Sequence, residues 1–148
     1  MKSKILGKVA YLSLFVLATT LLIGCGGSNT ADKKVEAPAE IRIGYAISLT
    51  GPYAGGASMS VIPNYKLWAE EINKKGGLYL SKFDKRVPVK LVEYDDRSDI
   101  ETAIRLIEKL ISDDKVDLIL PPWGTAMNFA IAPVINKHGY PVISNTMT

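Results

Sequence analysis

Residues Val116–Ala126 read Val-Asp-Leu-Ile-Leu-Pro-Pro-Trp-Gly-Thr-Ala, and this pattern predicts a strand, a turn and the start of a helix. The apolar run Leu118–Leu120 is typical of a strand buried on both faces, as in a parallel sheet covered by helices. The two prolines that follow cannot donate to a sheet ladder, so they should end the strand. Gly124 permits a close turn, and Thr125 stands at the position of an N-cap.

The helix after this turn would direct the unpaired backbone N–H groups of its first turn toward the C-terminal end of the strand. Such groups can hold an anion or the carbonyl of a ligand. A purely structural interpretation fits the same residues, with Trp123 covering apolar surface beside a capped turn. The stretch leaves both interpretations open, and the flanking sequence has to decide between them.

Three further segments have the pattern of strands. Ile41–Ile47 alternates at its start and is then mostly apolar, Val87–Tyr94 carries a proline near its start, and Pro141–Ser144 is a short apolar run. Leu78–Arg86 is interpreted as a surface turn, and the loop Ser48–Gly56 follows the first strand with hydroxyls, glycines and an aromatic residue.

Three helices are predicted between these strands from apolar residues at three- and four-residue steps. They run from near Ser60 to the glycines at 76 and 77, from Ser98 to about Asp113, and from Thr125 to Lys137. Pro63 is expected in the first turn of the first helix. Pro133 is expected to kink or end the third helix. The inward residues predicted for that third helix are Ala126, Phe129, Ala130 and Val134.

The segment Asp95-Asp-Arg-Ser-Asp99 precedes the second predicted helix. Ser98 and Glu101 have the spacing of a capping box. Three aspartates also raise the possibility of a calcium site, but the alternate-position pattern and the distal glutamate of a calcium loop are missing. We therefore interpret the segment as a capped, solvated turn and predict no metal site.

The alternation of strands and helices predicts an α/β fold. Short connections and right-handed crossovers give an open parallel sheet with helices on both faces, and the four predicted strands are expected in the order 2-1-3-4. The first and third strands are then neighbours whose outgoing helices cover opposite faces. Ligands bind at such a topological switch point, so the loops after the first, third and fourth strands are expected to form a site.

The N-terminus has the pattern of an export signal. Lysines precede an apolar run of 15 residues, Val9–Ile23, whereas a spanning helix needs roughly 20. Leu22-Ile23-Gly24-Cys25 resembles a bacterial lipobox, in which the cysteine is acylated. We interpret residues 1–24 as a lipoprotein signal peptide, 25–40 as a flexible tether and 41–148 as the folded part. A free thiol after an ordinary anchor helix is the alternative.

The charge distribution and the absence of certain motifs exclude several classes of function. The net charge is +3, but three of the 18 basic residues precede position 9, and the remaining 15 balance 15 acidic residues. The sequence therefore has no basic stripe of the kind that indicates nucleic-acid binding. The sequence has no dinucleotide-binding glycine motif, phosphate loop or nucleophile elbow. His138, the single histidine, is interpreted as a helix-end residue rather than as a catalytic or metal-binding one.

Several short motifs together resemble those of the type I substrate-binding proteins of ABC importers, in the branched-chain amino-acid-binding group. They are Ile41-Arg-Ile-Gly44, Thr50-Gly-Pro52, Ala69-Glu-Glu-Ile-Asn-Lys-Lys-Gly-Gly77, Tyr94-Asp-Asp96, Ala132-Pro-Val134 and Tyr140-Pro-Val-Ile-Ser144. Members of this family have two similar lobes that close on a ligand and deliver it to a membrane permease. The resemblance also implies that the helix accepts Pro133.

The resemblance suggests ligand-binding residues. The hydroxyl that holds a ligand carboxylate in amino-acid-binding relatives matches Thr125, and the groups after the fourth strand match Thr146 and Thr148. The aromatic residue sometimes found in the first loop is replaced by Gly56, with Tyr53 close by. Trp123, where relatives often have a smaller residue, offers a stacking surface for an amide or an aromatic ligand. The ligand-binding candidates are thus Tyr53, Trp123, Gly124, Thr125, Thr146 and Thr148.

The predicted protein is an extracytoplasmic solute receptor without catalytic residues, cofactor or metal. Its expected partners are an amino acid or related small molecule, an ABC permease and a bacterial membrane that holds the lipid on Cys25. Members of the family are much longer, so the sequence is interpreted as a partial N-terminal lobe with the second lobe absent. The alternatives are the ligand-binding module of a sensory receptor and a lipid-anchored α/β enzyme.

Overall fold

The computed structural model describes residues 36–146, which alternate between strands and helices. Cys25, Thr148, the predicted signal peptide and most of the predicted tether lie outside these residues. The elements are β1 Ile41–Ile47, α1 Ala54–Ser60, α2 Ile62–Lys74, β2 Leu78–Leu80, a 3-10 turn Ser81–Phe83, β3 Lys85–Val87, β4 Val89–Asp95, α3 Ile100–Ser112, β5 Leu118–Ile119 and α4 Thr125–His138. Within the described range, no helix combines the length and the apolar composition needed to cross a bilayer.

The main sheet is parallel and three-stranded, in the order β4-β1-β5. Ile41 of β1 is paired with Val89 of β4, and Ile43 of β1 with Leu118 of β5. This arrangement confirms the predicted order of the first three strands, with the first strand in the centre. The C-terminal ends of β1 and β5 therefore lie side by side.

Helices cover both faces of this sheet, as predicted. On one face, Tyr45 and Ile47 of β1 pack with Tyr65 of α2 and Ala57 of α1. On the other face, Ala46 packs with buried residues of α3 and α4. Alternate side chains of β1 thus enter opposite cores, which explains why this strand is apolar on both faces.

The predicted fourth strand is not formed, and residues 141–144 pair with neither of the two sheets. The strand beside which it was expected, β5, has only two residues, so it offers almost no ladder for pairing. Pro141 also lacks an N–H group. The segment is instead attached through Tyr140, whose hydroxyl donates to the carbonyl of Val116 at 2.6 Å.

The first helical region begins earlier than predicted. The second of its helices, α2, carries Pro63 in its first turn as expected, but α1 already occupies residues 54–60. Gly55 and Gly56 disfavoured this assignment, since glycine weakens helices. The hydroxyls of Ser58 and Ser60 donate to the carbonyls of these glycines, and Ala57 of α1 is fully buried. Tertiary packing therefore overrides the local preference.

The segment predicted as a surface turn is a β-hairpin. Strands β2 and β3 pair antiparallel around the 3-10 turn, and Asp84 adopts the left-handed conformation, with φ 48°. Pro88 separates β3 from β4, and its carbonyl accepts from Ile41 N at 2.8 Å. The second predicted strand therefore divides at this proline, and its main part is β4.

The N-caps of α3 and α4 differ from those predicted. Asp99, rather than Ser98, caps α3, and its side chain accepts from Thr102 N at 2.7 Å. Gly124, rather than Thr125, is the N-cap of α4, with φ 93° and ψ 148°. Glycine adopts this positive φ without steric cost. Thr125 is then the first residue of the helix.

The inward face predicted for α4 was wrong except for Val134, which is partly buried against the core. Its buried residues are Met127, Asn128, Ile131 and Ile135, whereas Phe129 is 64% exposed. The helix has apolar residues of its own on every side, so their spacing could not show which side faces the core. The buried Asn128 was also hidden by its polarity. Pro133 lies inside α4 without ending it, and the helix continues to His138.

Candidate ligand-binding site

A cleft of about 460 Å³ opens where the loop after β1, the turn after β5 and the C-terminal segment meet. Its lining consists of Tyr53, Ser60, Trp123, Gly124, Thr125, Ala126, Asn145 and Thr146. Among the residues predicted to bind a ligand, only Thr148 is missing from this group, because it lies outside the described residues. The others lie together around one cavity, although they are separated by up to 93 positions in the sequence.

Trp123 forms one wall of the cleft. It packs against the core that contains Tyr45 and Tyr65, and its ring centroid lies 5.7 Å from that of Tyr53, with the planes inclined at 49°. Both side chains are partly exposed. Each ring therefore has support from the protein and surface open to solvent.

The other wall is polar and is held by backbone contacts. Gly124 N donates to the hydroxyl oxygen of Thr146 at 3.0 Å, which attaches the C-terminal segment to the turn after β5. Asn128 donates to the carbonyls of Pro122 and Gly124, at 3.0 and 2.8 Å. These contacts fix the turn before α4 although Gly124 offers no side chain.

The N-terminus of α4 borders the cleft through Thr125 and Ala126. This helix has 14 residues, so the aligned peptide dipoles create a partial positive charge at this end. The backbone N–H groups of its first turn and the Thr125 hydroxyl are suited to a carboxylate or a carbonyl oxygen.

Asp95 organises the loop that carries Tyr53. Its carboxylate accepts hydrogen bonds from the backbone N–H groups of Leu49, Thr50 and Arg97 and from the Thr50 hydroxyl, at 2.7 to 3.2 Å. Partial burial opposes ionisation of Asp95, but these hydrogen bonds outweigh it and lower the pKa of the carboxyl group.

Asp96 and Ser98 connect the same loop to the end of β4. The buried Asp96 carboxylate accepts from the Ser48 hydroxyl at 2.6 Å and from Ser98 N at 2.8 Å. Burial raises the pKa of Asp96, and these two hydrogen bonds reduce the effect. The Ser98 hydroxyl accepts from Tyr53 N at 3.0 Å and donates to the Thr50 carbonyl at 2.9 Å.

Sequence reasoning missed the structural role of these acidic and hydroxyl residues. It interpreted Asp95 to Asp99 as a capped, solvated turn, whereas two of these aspartates support the loop beside the cleft. Within residues 36–146, no group of three or more His, Cys, Asp and Glu side chains is arranged to hold a metal ion. Sequence reasoning also missed Ser60 and Asn145 as lining residues. Asn145 lies within the polar stretch that supplied Thr146, and this position was the available signal.

His138 lies at the opposite end of α4 from the cleft, about 20 Å away for a helix of this length. Its Nε2 is 3.0 Å from Glu108 Oε1. The Lys137 ammonium donates to the same carboxylate at 3.0 Å. The hydrogen bonds from Lys137 and His138 lower the pKa of Glu108. These three residues therefore join α4 to α3 away from the cleft.

A second cavity of about 300 Å³ lies between α4 and residues 140–144. Its lining includes Phe129, Ile131, Ile135 and Val142, and it contains none of the residues predicted to bind a ligand. It also lies along the side of α4 rather than at its N-terminus. The larger cleft is therefore the better candidate for a polar ligand.

Three solved proteins share this architecture. LivJ from Streptococcus pneumoniae, a branched-chain amino acid transporter substrate-binding protein in complex with isoleucine, is 25% identical, with a TM-score of 0.62 over 74% of this chain and 29% of that protein. Leucine-binding LivK from Thermotoga maritima is 22% identical, with a TM-score of 0.57 over 73% of this chain and 28% of that protein. A solute-binding protein of an ABC transporter from Rhodopseudomonas palustris, in complex with 3,4-dihydroxybenzoic acid, is 22% identical, with a TM-score of 0.56 over 74% and 28%.

These three proteins are described as binding proteins, and the present chain spans less than a third of the length of each. The sequence profile of the periplasmic binding proteins matches residues 40–148. That range includes β1, the cleft and every helix described above. The chain therefore belongs to the periplasmic binding protein family and contains the α/β architecture of an N-terminal lobe of type I.

Proposed function

We propose that the protein is the solute receptor of an ABC importer and that the cleft beside Trp123 binds an amino acid or a similar small carboxylate or amide. The observation that carries this proposal is the convergence of Tyr53, Trp123, Thr125 and Thr146 on one cavity. The cavity also lies at the C-terminal ends of parallel strands, where open α/β sheets bind ligands. The bound solute is then delivered to a membrane permease.

The composition of the cleft favours a polar ligand with a carboxylate or carbonyl group. The hydroxyls of Thr125 and Thr146 and the amide of Asn145 stand near the N-terminus of α4. Together they give the cleft a polar, uncharged lining, which suits the oxygen atoms of a small carboxylate or amide. The isoleucine bound by the Streptococcus pneumoniae relative carries such a carboxylate. Binding without covalent chemistry is the role that this arrangement supports.

The proposal includes a lipid anchor on the extracytoplasmic face of a bacterial membrane. Residues 1–24 serve as the signal peptide, Cys25 is acylated, residues 25–40 form the tether, and 41–148 form the ligand-binding lobe. The support is the lipobox-like sequence Leu22-Ile23-Gly24-Cys25 directly after the apolar run. More than one acyl chain is needed for stable anchoring.

Isothermal titration calorimetry on the native protein that carries this sequence tests the proposal. The probes are isoleucine, phenylalanine and benzoate. Thr125→Val keeps the shape of the side chain and removes its hydroxyl, so the binding free energy should weaken by about 1 to 3 kcal/mol. The matched control is Thr102→Val, a threonine in the first turn of α3 and outside the cleft lining, which should leave affinity unchanged.

Two results would count against this function. Absence of heat with every probe would remove small carboxylates as ligands of the site. Equal affinities for the native protein and Thr125→Val, with Thr102→Val also unchanged, would remove Thr125 from the binding surface and leave the N-terminus of α4 without its assigned role.

A further inference from the structure

The aromatic wall of the cleft is a paired surface rather than two isolated rings. The Tyr53 and Trp123 centroids are 5.7 Å apart. A ligand ring inserted between them would require about 7 Å, twice the contact distance between carbon atoms. A ligand therefore has to lie against the solvent-facing side of this pair, where it meets aromatic surface from both residues.

Gly56 determines where the Trp123 ring lies. A Cβ at position 56 would stand 2.3 Å from Trp123 Cζ2 and 2.5 Å from Cε2, so the indole occupies space that any side chain at 56 would need. The ring also packs on the core that includes Tyr65. The core and Gly56 thus hold the Trp123 ring in place before a ligand binds, which lowers the entropic cost of binding.

Polar groups share the cleft with this aromatic surface. Thr125 and Thr146 line the same cleft, and the N-terminus of α4 favours negative charge. An aromatic surface in the same cleft as an anion-favouring helix end matches an aromatic ligand with a carboxylate at its edge. A branched aliphatic ligand gains no ring-to-ring interaction with this surface.

We propose that the ligand of this cleft is an aromatic carboxylate whose ring stacks on the Tyr53–Trp123 pair while its carboxylate faces the N-terminus of α4. This inference rests on the proposed solute-binding function and deepens it by naming the class of solute. Trp123 is then the residue that determines specificity, and Gly56 acts through it as a positioning residue.

Matched ligands test the inference in the native protein. Benzoate and cyclohexanecarboxylate have the same carboxylate on rings of similar size, and only benzoate is aromatic. Isoleucine is the aliphatic amino acid for comparison. Because aromatic pairs gain about 0.5 to 1.5 kcal/mol beyond the area they bury, benzoate should bind roughly two- to thirteenfold more tightly than cyclohexanecarboxylate. Its binding should also change the indole fluorescence.

Two substitutions test whether Trp123 produces the preference for benzoate over cyclohexanecarboxylate. Trp123→Leu should reduce the ratio of the two affinities to near one, and Trp123→Phe should retain part of it. Trp68→Leu is the control, because Trp68 lies on α2 outside the cleft and is 41% exposed. It should leave the ratio unchanged. The ratio in the native protein is informative even if a Trp123 variant does not fold.

Each contrary outcome has a distinct meaning. Equal binding of benzoate and cyclohexanecarboxylate, or tighter binding of isoleucine than of benzoate, would overturn the aromatic assignment and leave the solute-binding function in place. Loss of the benzoate preference in Trp68→Leu but not in Trp123→Leu would move the aromatic site elsewhere and overturn the assignment. Failure of benzoate, cyclohexanecarboxylate and isoleucine to bind would overturn the aromatic assignment and also remove small carboxylates from the proposed function.

Discussion

Gly56 lies directly against the indole ring of Trp123, so closely that a Cβ at position 56 would stand 2.3 Å from Cζ2 of the ring. This contact joins α1, in the loop region after β1, to the turn after β5. Two segments separated by 67 positions in the sequence therefore share one wall of the cleft. The absence of a side chain at 56 and the presence of a large ring at 123 are complementary.

Gly56→Ala should displace Trp123 and destabilise the protein. Overpacking of this kind costs about 1 to 3 kcal/mol, and the benzoate affinity should fall with the movement of the ring. Gly55→Ala is a matched control in the same helix, since a Cβ there meets nothing within 4 Å. It should stabilise α1 by about 0.5 to 1 kcal/mol. Urea unfolding measures both changes, and equal effects of the two alanines would contradict the contact.

Ser98→Ala should loosen the loop that carries Tyr53. The Ser98 hydroxyl accepts from Tyr53 N and donates to the Thr50 carbonyl, so the substitution leaves both backbone groups without this partner. We expect a loss of about 1 to 2 kcal/mol in the free energy of unfolding. Ser58→Ala is the control, because that exposed hydroxyl donates to the Gly55 carbonyl in its own helix. An equal loss of unfolding free energy in Ser58→Ala would show that the effect does not come from the hydrogen bonds of Ser98 to Tyr53 and Thr50.

The neighbouring carboxyl groups of Asp95 and Asp96 should respond oppositely to neutralisation. Asp95 accepts several hydrogen bonds that lower its pKa, so Asp95→Asn should reduce stability at pH 7 by about 1 to 2 kcal/mol. Asp96 is buried with Oδ2 unpaired, and its pKa is raised. In Asp96→Asn, the amide oxygen can keep both hydrogen bonds while the charge is removed. Stability at pH 7 should therefore be unchanged or higher.

The same pair gives a signed pH dependence. The lowered pKa of Asp95 means that its contribution is complete above the ordinary aspartate value, near 3.9, and is lost as the pH falls through the folded pKa. Asp96 behaves in the opposite sense, because its contribution is complete below that value and is lost as the pH rises through its raised folded pKa. Urea unfolding between about pH 3 and 7 should show less acid destabilisation in Asp95→Asn. Equal destabilisation by both asparagines at pH 7 would contradict this assignment.

Cys25→Ser should prevent acylation if residues 22–25 act as a lipobox. Incorporation of radiolabelled palmitate should disappear, and the protein should lose its acyl-dependent attachment to the membrane. Ser28→Ala, three residues further along, should retain the label. Label that persists in Cys25→Ser would place the acylation at another residue.

The sheet was predictable because its signals are strong and local. Ile41–Ile47 and Leu118–Leu120 are apolar runs of strand length, and the helices between the strands have clear apolar stripes. Residues 141–144 have the same kind of composition, but they form no strand because β5 contains only two residues. That outcome depends on the partner strand rather than on the segment's own sequence.

The cleft was predictable in its location and less so in its construction. Parallel strands bring their following loops together, so topology indicated that these loops would meet, and the family resemblance indicated Thr125 and Thr146 within them. The contact of Gly56 with Trp123 depends on the position of α1, a helix whose glycines argued against it. The opposite pKa shifts of Asp95 and Asp96 depend on which carboxylate points into the core. Alternation along a loop does not determine that direction.

The location of a bound ligand tests the central claim most directly. A crystal structure of the native protein with the tightest-binding carboxylate probe should show the ligand against Trp123 and Tyr53, with its carboxylate at the N-terminus of α4. A ligand seated instead in the smaller cavity, which is lined by Phe129 and Val142, with no ligand beside Trp123, would contradict the assignment of this cleft as the binding site.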